Sequence, residues 1–411
     1  MRSFNQTTSD LQRDLRAPVT SVGKARRGPL VLLGFSPIAE ARSTGGSLSG
    51  VIVHEWLEPH GGAEKVVEQL ARLYPDASIR ALWNDAPRRF ESDRVSETWL
   101  ARTPLRRHKG AALPFMPTTW RHLGHDDSEW ILCSSHLFSH HARFSGPSRH
   151  VDKYVYAYTS ARYIWHPELD SRGQSALVRL AVPPLKRIDR ARAQEAKSIA
   201  SISHFVQDRL KDSWRRDSQV IYPPVEVARF AADDGDLSEH EEETLESLPE
   251  TFLLGASRFI PYKRLDLVVE MGRATDVPVV LAGDGPLLSQ FELIARTEPG
   301  TVHIVRSPSH ALLRELYRRC LAYVFPAVED FGIMPVEAMA TGAAVIASSV
   351  GGAAETVVDG VTGVLLDVFD AHHMRQAVDR VGTVLAEDSV ARAWQFDEAV
   401  FRRRIAGWIG E

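Results

Sequence analysis

The sequence predicts an α/β protein with doubly wound, mostly parallel sheets, and three observations carry that prediction. Apolar runs of buried-strand length recur along the chain, and stretches with helical spacing follow them. Several runs end in glycine turns, at Gly61-Gly62, Gly283-Asp284-Gly285 and Gly332, where open α/β sheets place their ligands. At 411 residues, 44% hydrophobic and 25% charged, the chain has ordinary globular composition and room for two domains.

The same composition narrows the function. A net charge of −4 gives no reason to expect nucleic acid. The two cysteines, Cys133 and Cys320, lie far apart beside or within apolar runs, which fits a reducing, cytoplasmic location and neither a disulfide framework nor a CxxC metal site. The 16 histidines are scattered; His140-His141 and the pair His54/His60 lack zinc spacing, and most of the 16 read as surface or loop residues. No apolar run reaches bilayer length. Residues 1–48 imitate a signal peptide through Arg26-Arg27 and Leu30-Val31-Leu32-Leu33, but the apolar part is short and Pro37 interrupts it. They read as a flexible N-terminal extension.

Residues 51–57 are a buried first strand, followed by Gly61-Gly62 and a helix over 64–73, where Val66, Val67, Leu70 and Leu73 recur at helical spacing. Two glycines at such a turn let the backbone close on a phosphate or sugar, although a Gly-Gly pair alone is usually only a turn. Residues 99–125 carry Arg102, Arg106, Arg107, Lys109 and Arg121 among Leu105, Leu113, Phe115, Met116 and Trp120. That mixture suits an anionic membrane surface or a lipid-linked diphosphate, and equally a solvated loop packed by its own aromatics. Further strands are expected at 130–138, 155–165 and 220–225. The acidic run 231–250 reads as a solvated linker, which puts the boundary between domains 49–225 and 226–390.

The second domain opens with a strand leading to Arg258 and Lys263, then a helix over 265–274. Strands at 279–282 and 302–305 follow, with a helix over 312–319 between the latter and the apolar run 320–325. Glu329 then sits at a strand's carboxyl end and Glu337 in the opening of the next helix, where Pro335 costs no hydrogen bond. The amides of Gly332, Ile333 and Met334 can face an anion there. Helices over 374–385 and 391–409 close the chain.

Glu329 and Glu337, with seven residues between them, resemble the E-x7-E motif of family 4 retaining glycosyltransferases. Ala340-Thr341-Gly342-Ala343-Ala344-Val345-Ile346-Ala347 is similar to that family's A-x-G-x-P-V-I-A, with Ala344 in place of proline. Gly351-Gly352-Ala353-Ala354-Glu355 and Asp359-Gly360-Val361-Thr362-Gly363 resemble its G-G-x-x-E and D-G-x-x-G turns. Arg258, Lys263 and Asp266 keep its R-x-x-x-x-K-x-x-D, and Gly61-Gly62-Ala63-Glu64 its G-G-A-E loop. The stretch 156–165 is similar to Y-x-H-T-P-x-R-Y-L-W of transferases that build surface polysaccharides, with Tyr158 where the histidine would stand and Ser160 where the proline would.

The resemblance implies a GT-B fold, two Rossmann-like domains facing across a cleft, with the helix at 391–411 returning to the first. It implies a hexose, mannose by the Arg162-Tyr163-Ile164-Trp165 stretch, moved from a nucleotide diphosphate such as GDP to a polysaccharide or lipid-linked saccharide. Arg258 and Lys263 would hold the diphosphate, aided by the amides of Gly332 to Met334 and the Gly61-Gly62 turn. Glu329 would hold hydroxyls of the transferred sugar and Glu337 those of the ribose. Tyr158 or His136 would contact the sugar, and Arg306 with Ser307 the base. The only Asp-x-Asp, Asp234-Gly235-Asp236, falls in the linker, so neither a metal ion nor a cofactor is expected. Peripheral contact with the inner face of an anionic membrane fits the basic segment. Two alternatives stay open: a GT-B enzyme with a soluble acceptor (a phosphorylase or a sucrose/trehalose-type synthase), and an inactive sugar-nucleotide-binding scaffold.

Overall fold

A computed structural model describes residues 49–59, 61–165, 176–232 and 237–410. The expected extension 1–48, His60 and the Asp234-Gly235-Asp236 triplet lie outside the described residues.

Two sheets form, each wholly parallel. The first contains β1 (Gly50–His54), β2 (Ser78–Ala81), β3 (Val95–Glu97), β4 (Trp130–Ser135), β5 (Asp152–Ala157), β6 (Ser198–Ser201) and β7 (Gln219–Val220), in the order β3-β2-β1-β4-β5-β6-β7. The second contains β8 (Leu253–Ala256), β9 (Val279–Gly283), β10 (Val302–Arg306), β11 (Ala322–Phe325), β12 (Val345–Ser348) and β13 (Gly363–Leu366), ordered β10-β9-β8-β11-β12-β13. A parallel sheet must be covered on both faces, so its central strands are apolar throughout. Accordingly all five residues of β1 and all four of β8 and β11 are buried. Helices complete the cores: Gly62–Leu73 buries Val66, Val67 and Leu70, and Leu265–Thr275 buries Val268, Val269 and Met271.

In both sheets the order reverses once, between β1 and β4 and between β8 and β11. There the connections leave in opposite directions and open a crevice at the strands' carboxyl ends. The loops after β1 and β5 of the first sheet and after β8 and β11 of the second meet in one region.

Several expected elements differ from the structure. The strand expected at 155–165 ends at Ala157, and a short helix, Arg162–Trp165, takes its place, with the Ala161 carbonyl accepting from the Ile164 and Trp165 amides. The acidic linker contains a helix, Glu239–Glu246, because Ser238 and Glu241 form a capping box and acids in the first turn favour the helix dipole. The helix expected over 391–409 breaks. Ala386–Ala393 passes through the 3₁₀ turn Trp394–Phe396 to extended Asp397, and Glu398–Gly410 begins afresh. The break lets the Phe396 carbonyl accept the Val225 amide at 3.0 Å. Beyond it, Trp408 lies against the first sheet, donating to Ser198 Oγ at 2.8 Å with its ring edge-on to Tyr154.

Candidate active site

The converging loops enclose a cavity of about 790 Å3, whose lining includes Gly62, Tyr158, Arg258, Lys263, Glu329 and Gly332. Lys263 ends the 3₁₀ turn Pro261–Lys263 after β8, and its Nζ donates to Glu329 Oε1 in the loop after β11. Both groups are largely shielded, at 11% and 22% side-chain exposure. Arg258 is exposed, its Nη2 donating to the Tyr262 hydroxyl at 3.2 Å.

Gly332 caps the helix Ile333–Ala340 in a left-handed conformation, φ +87°, which glycine adopts without strain. Gly332, Ile333 and Met334 all line the cavity, so the helix's positive end faces it. Gly352 supports the loop from below. Its amide donates to the Glu329 carbonyl at 2.7 Å, and a Cβ there would come within 2.2 Å of the Phe331 Cα. The glycine pair of the G-G-x-x-E turn thus lets two loops pack backbone to backbone.

Five other expected residues fall in different places. Gly61 caps the helix Gly62–Leu73, and a Cβ there would strike the Glu64 carboxylate. Tyr158 lines the cavity with its hydroxyl 2.8 Å from Ser134 Oγ, and it also donates to the Ala63 carbonyl at 3.3 Å. His136 lies behind Tyr158, ring centroids 6.2 Å apart, and is outside the cavity lining. Arg306 is outside it too. It ends β10 at the sheet edge, and its guanidinium is 61% exposed, 3.9 Å from Asp284. Glu337 is buried beneath the cleft at 8% exposure rather than lining it. Burial pushes its carboxyl up to about 7, against the pull of Lys65.

The reading of His54, His140 and His141 as surface or loop residues is corrected: all three are buried. His140 and His141 each point Nε2 at Asp189 Oδ1, at 3.1 and 3.0 Å. Asp189 Oδ2 accepts from the indoles of Trp165 and Trp214 at 2.7 and 2.8 Å. Near β1, Glu55 Oε1 accepts the amides of His136, Leu137 and Ser139 and so fixes the loop after β4. Its Oε2 lies 3.3 Å from His136 Nδ1 and 3.9 Å from His54 Nδ1. His54 Nδ1 already faces the Ser134 carbonyl at 3.1 Å, which makes the cluster a hydrogen-bonded support for the loop.

The basic segment is less free than its composition implied. Arg106 pairs with Asp85 and Glu97, Lys109 with Glu58, and Arg121 with Glu195, so acids distant in sequence neutralise it. Arg102 and Arg107 stay exposed with no ion pair among the described residues. Sequence reasoning missed three cleft residues, Arg209, Tyr262 and Asp330, none of which stood out by spacing. Arg162 was visible within the Arg162-Tyr163-Ile164-Trp165 stretch but had no partner assigned.

Residues 238–386 match the family described as Glycosyl transferases group 1. The chain is 27% identical over 254 residues to the GDP-mannose-dependent α-(1-6)-phosphatidylinositol monomannoside mannosyltransferase of Mycolicibacterium smegmatis, covering 56% of this chain and 64% of that one. It is 25% identical over 182 residues to an uncharacterised glycosyltransferase of Methanocaldococcus jannaschii, covering 44% and 48%. The chain spans about half the length of the curated relatives it matches. Among solved structures, Anabaena HepE in complex with UDP-glucose superposes with a TM-score of 0.63 at 19% identity, over 88% of this chain and 99% of that one. Sucrose-phosphate synthase from Thermosynechococcus elongatus gives 0.63 at 16%, over 88% and 98%. These likenesses identify the two parallel sheets as a GT-B fold, within which residues 238–386 match a Glycosyl transferases group 1 domain.

Proposed function

We propose that the protein is a retaining glycosyltransferase that moves a hexose from a nucleotide diphosphate sugar to a saccharide or lipid-linked saccharide. The meeting of Lys263 and Glu329 in one cleft, beside Arg258 and the positive end of the helix Ile333–Ala340, carries this reading. In the transfer, the bond from the anomeric carbon to the β-phosphate oxygen breaks and the acceptor oxygen bonds to that carbon on the same face. The acceptor's proton passes to the departing phosphate oxygen. Charge grows on that diphosphate, and fixed cations and helix amides stabilise it most in the transition state.

Arg258, Lys263 and the amides of Gly332 to Met334 hold the diphosphate in this reading, with the Gly61-Gly62 turn approaching from the first half. Glu329 holds hydroxyls of the transferred sugar and supports positive charge at its anomeric carbon. Glu337 takes the ribose hydroxyls, Tyr158 the sugar, and Arg306 the base. The acceptor half is 49–225 with 391–411 returning to it, and the donor half is 226–390. Mannose from GDP-mannose is the donor most in keeping with the Mycolicibacterium relative, whereas the Anabaena neighbour was solved with UDP-glucose. The site of action is the cytoplasmic face of a membrane, reached peripherally. Among the described residues no helix is long and apolar enough to cross a membrane.

Calorimetric titration of GDP, UDP and ADP tests the reading. One nucleotide is expected to bind well above the others, and its mannosyl or glucosyl ester to turn over with retention. No binding by any of the three would overturn the proposal.

A further inference from the structure

Asp330 follows Glu329 in the loop after β11, and three of its atoms reach residues of the opposite half. Its Oδ2 accepts from Arg162 Nη2 on the helix Arg162–Trp165. Its Oδ1 accepts from Arg209 Nη1 at 2.5 Å on the helix His204–Trp214. Its backbone carbonyl accepts from Ser203 Oγ at 2.6 Å. A single residue of the second half is therefore bound by two helices and a strand-end loop of the first.

The site is a shielded one. The Asp330 carboxylate is 11% exposed and the Arg209 guanidinium 17%. Water screens the Asp330–Arg209 pair poorly, whereas the Arg162 guanidinium is 44% exposed, so removing the carboxylate leaves the shielded Arg209 chiefly uncompensated. Both arginines line the same cavity as Lys263 and Glu329. The helix His204–Trp214 is gripped a second time, since Glu355 accepts the His204 and Phe205 amides, both at 2.8 Å.

We propose that Asp330 is a positioning residue that clasps the two halves of the cleft through Arg162 and Arg209. The clasp rests on the glycosyltransferase reading for its consequence, though not for its geometry. Asp330 is joined by one peptide bond to Glu329, so drawing the halves together also sets the carboxylate that faces the sugar. Transfer needs the acceptor oxygen brought against the anomeric carbon, which is the step that closure supplies. In that reading nucleotide binding draws chiefly on groups of the second half, the Gly61-Gly62 turn being the first half's contribution, so the clasp bears on transfer far more than on nucleotide affinity.

The full chain tests this with spin labels at Asp93→Cys and Arg296→Cys, exposed positions on opposite halves; the two native cysteines are buried. Asp330→Asn is expected to add a longer-distance population in a pulsed dipolar measurement and to lower kcat about tenfold or more, with nucleoside diphosphate Kd unchanged within about twofold. Arg209→Gln should reproduce both effects, and Asp330→Glu should restore the short distance. An unaltered distance distribution in Asp330→Asn and in Arg209→Gln would overturn the clasp, whatever happens to turnover. Failure of the parent chain to bind any nucleoside diphosphate would instead overturn the glycosyltransferase reading, while the distances still decide the clasp.

Discussion

Lys263 Nζ is bonded to the Glu329 carboxylate across the floor of the cleft, joining the loop after β8 to the loop after β11. The two strands are neighbours at the point where the second sheet reverses its order. In the proposed transfer this partner of Glu329 is also the cation that meets the departing diphosphate. Lys263→Ala removes a charge that acts chiefly in the transition state, so turnover should fall roughly 10²–10³-fold. The side chain is largely shielded but belongs to neither apolar core, so thermal unfolding should be little moved. Near-normal turnover with every nucleotide sugar would remove Lys263 from the mechanism.

If Glu337 takes the ribose as proposed, nucleotide affinity should depend on pH. Burial holds its carboxyl near 7, so it is half ionised at neutrality, with Lys65 pulling the other way. An ionised carboxylate accepts two ribose hydroxyls, and a protonated one does so less well. Affinity for the preferred nucleoside diphosphate should therefore rise between pH 6 and pH 8, about where Glu337 loses its proton. Titration calorimetry at several pH values checks this, and in Glu337→Gln the slope should vanish. A slope that survives the substitution would assign it to another group.

What was legible in the sequence was local. Arg258, Lys263, Glu329 and Gly332 stand at strand ends within short motifs, and strand ends beside an order reversal meet in space. The Asp330 clasp was illegible, because its partners are 168 and 121 residues away and an arginine on a helix carries no mark of its mate. Arg306 shows the opposite limit of local reading. Its turn had the expected look, yet β10 lies at the sheet edge, two strands from the reversal. The buried histidines were misjudged for the same reason as the clasp, since His140 and His141 are kept inside by Asp189, 48 residues beyond the latter. The glutamates and aspartates that quiet the basic segment likewise come from outside it. Period and motif describe neighbours along the chain, and these contacts depend on the fold.

Acid should loosen the first half before the second. Burial pulls His54 and His141 down to about 4, below their ordinary 6.5. The unfolded chain then takes up their protons first, so the stability they contribute is present above about pH 6.5 and is lost as pH falls toward 4. Glu337 acts in the opposite sense. Its raised value favours the folded state below about 4.5, and that gain disappears as pH rises through 7. The two imidazoles drawn down to about 4 outweigh Glu337 and the lesser upward shifts of Glu64 and Glu398, and the midpoint of urea unfolding should fall from pH 7 to pH 4.5. At pH 7 Asp189→Ala should cost about 3–5 kcal/mol, because it strands two imidazoles and two indoles away from water. A midpoint that rises on acidification would refute the balance.

Arg102 and Arg107 are the cations of the basic segment left to meet a partner. Arg106 and Lys109 are already paired with acids, so reversing them would break the fold's own contacts and confuse the result. In the same segment as these arginines, which have no ion pair among the described residues, Trp99 and Phe115 stand 51% and 46% exposed, with ring centroids 6.4 Å apart and nearly perpendicular. Two aromatic side chains with adjacent cations are the groups that settle at an anionic headgroup layer, where each arginine contributes about 1 kcal/mol. The double reversal Arg102→Glu/Arg107→Glu should therefore lower partitioning onto phosphatidylglycerol-containing vesicles roughly tenfold or more. Turnover of a soluble acceptor should stay intact, since neither residue lines the cleft. Sedimentation with vesicles measures the first, and a bound fraction equal to that of the parent chain would show that this surface does not meet the membrane.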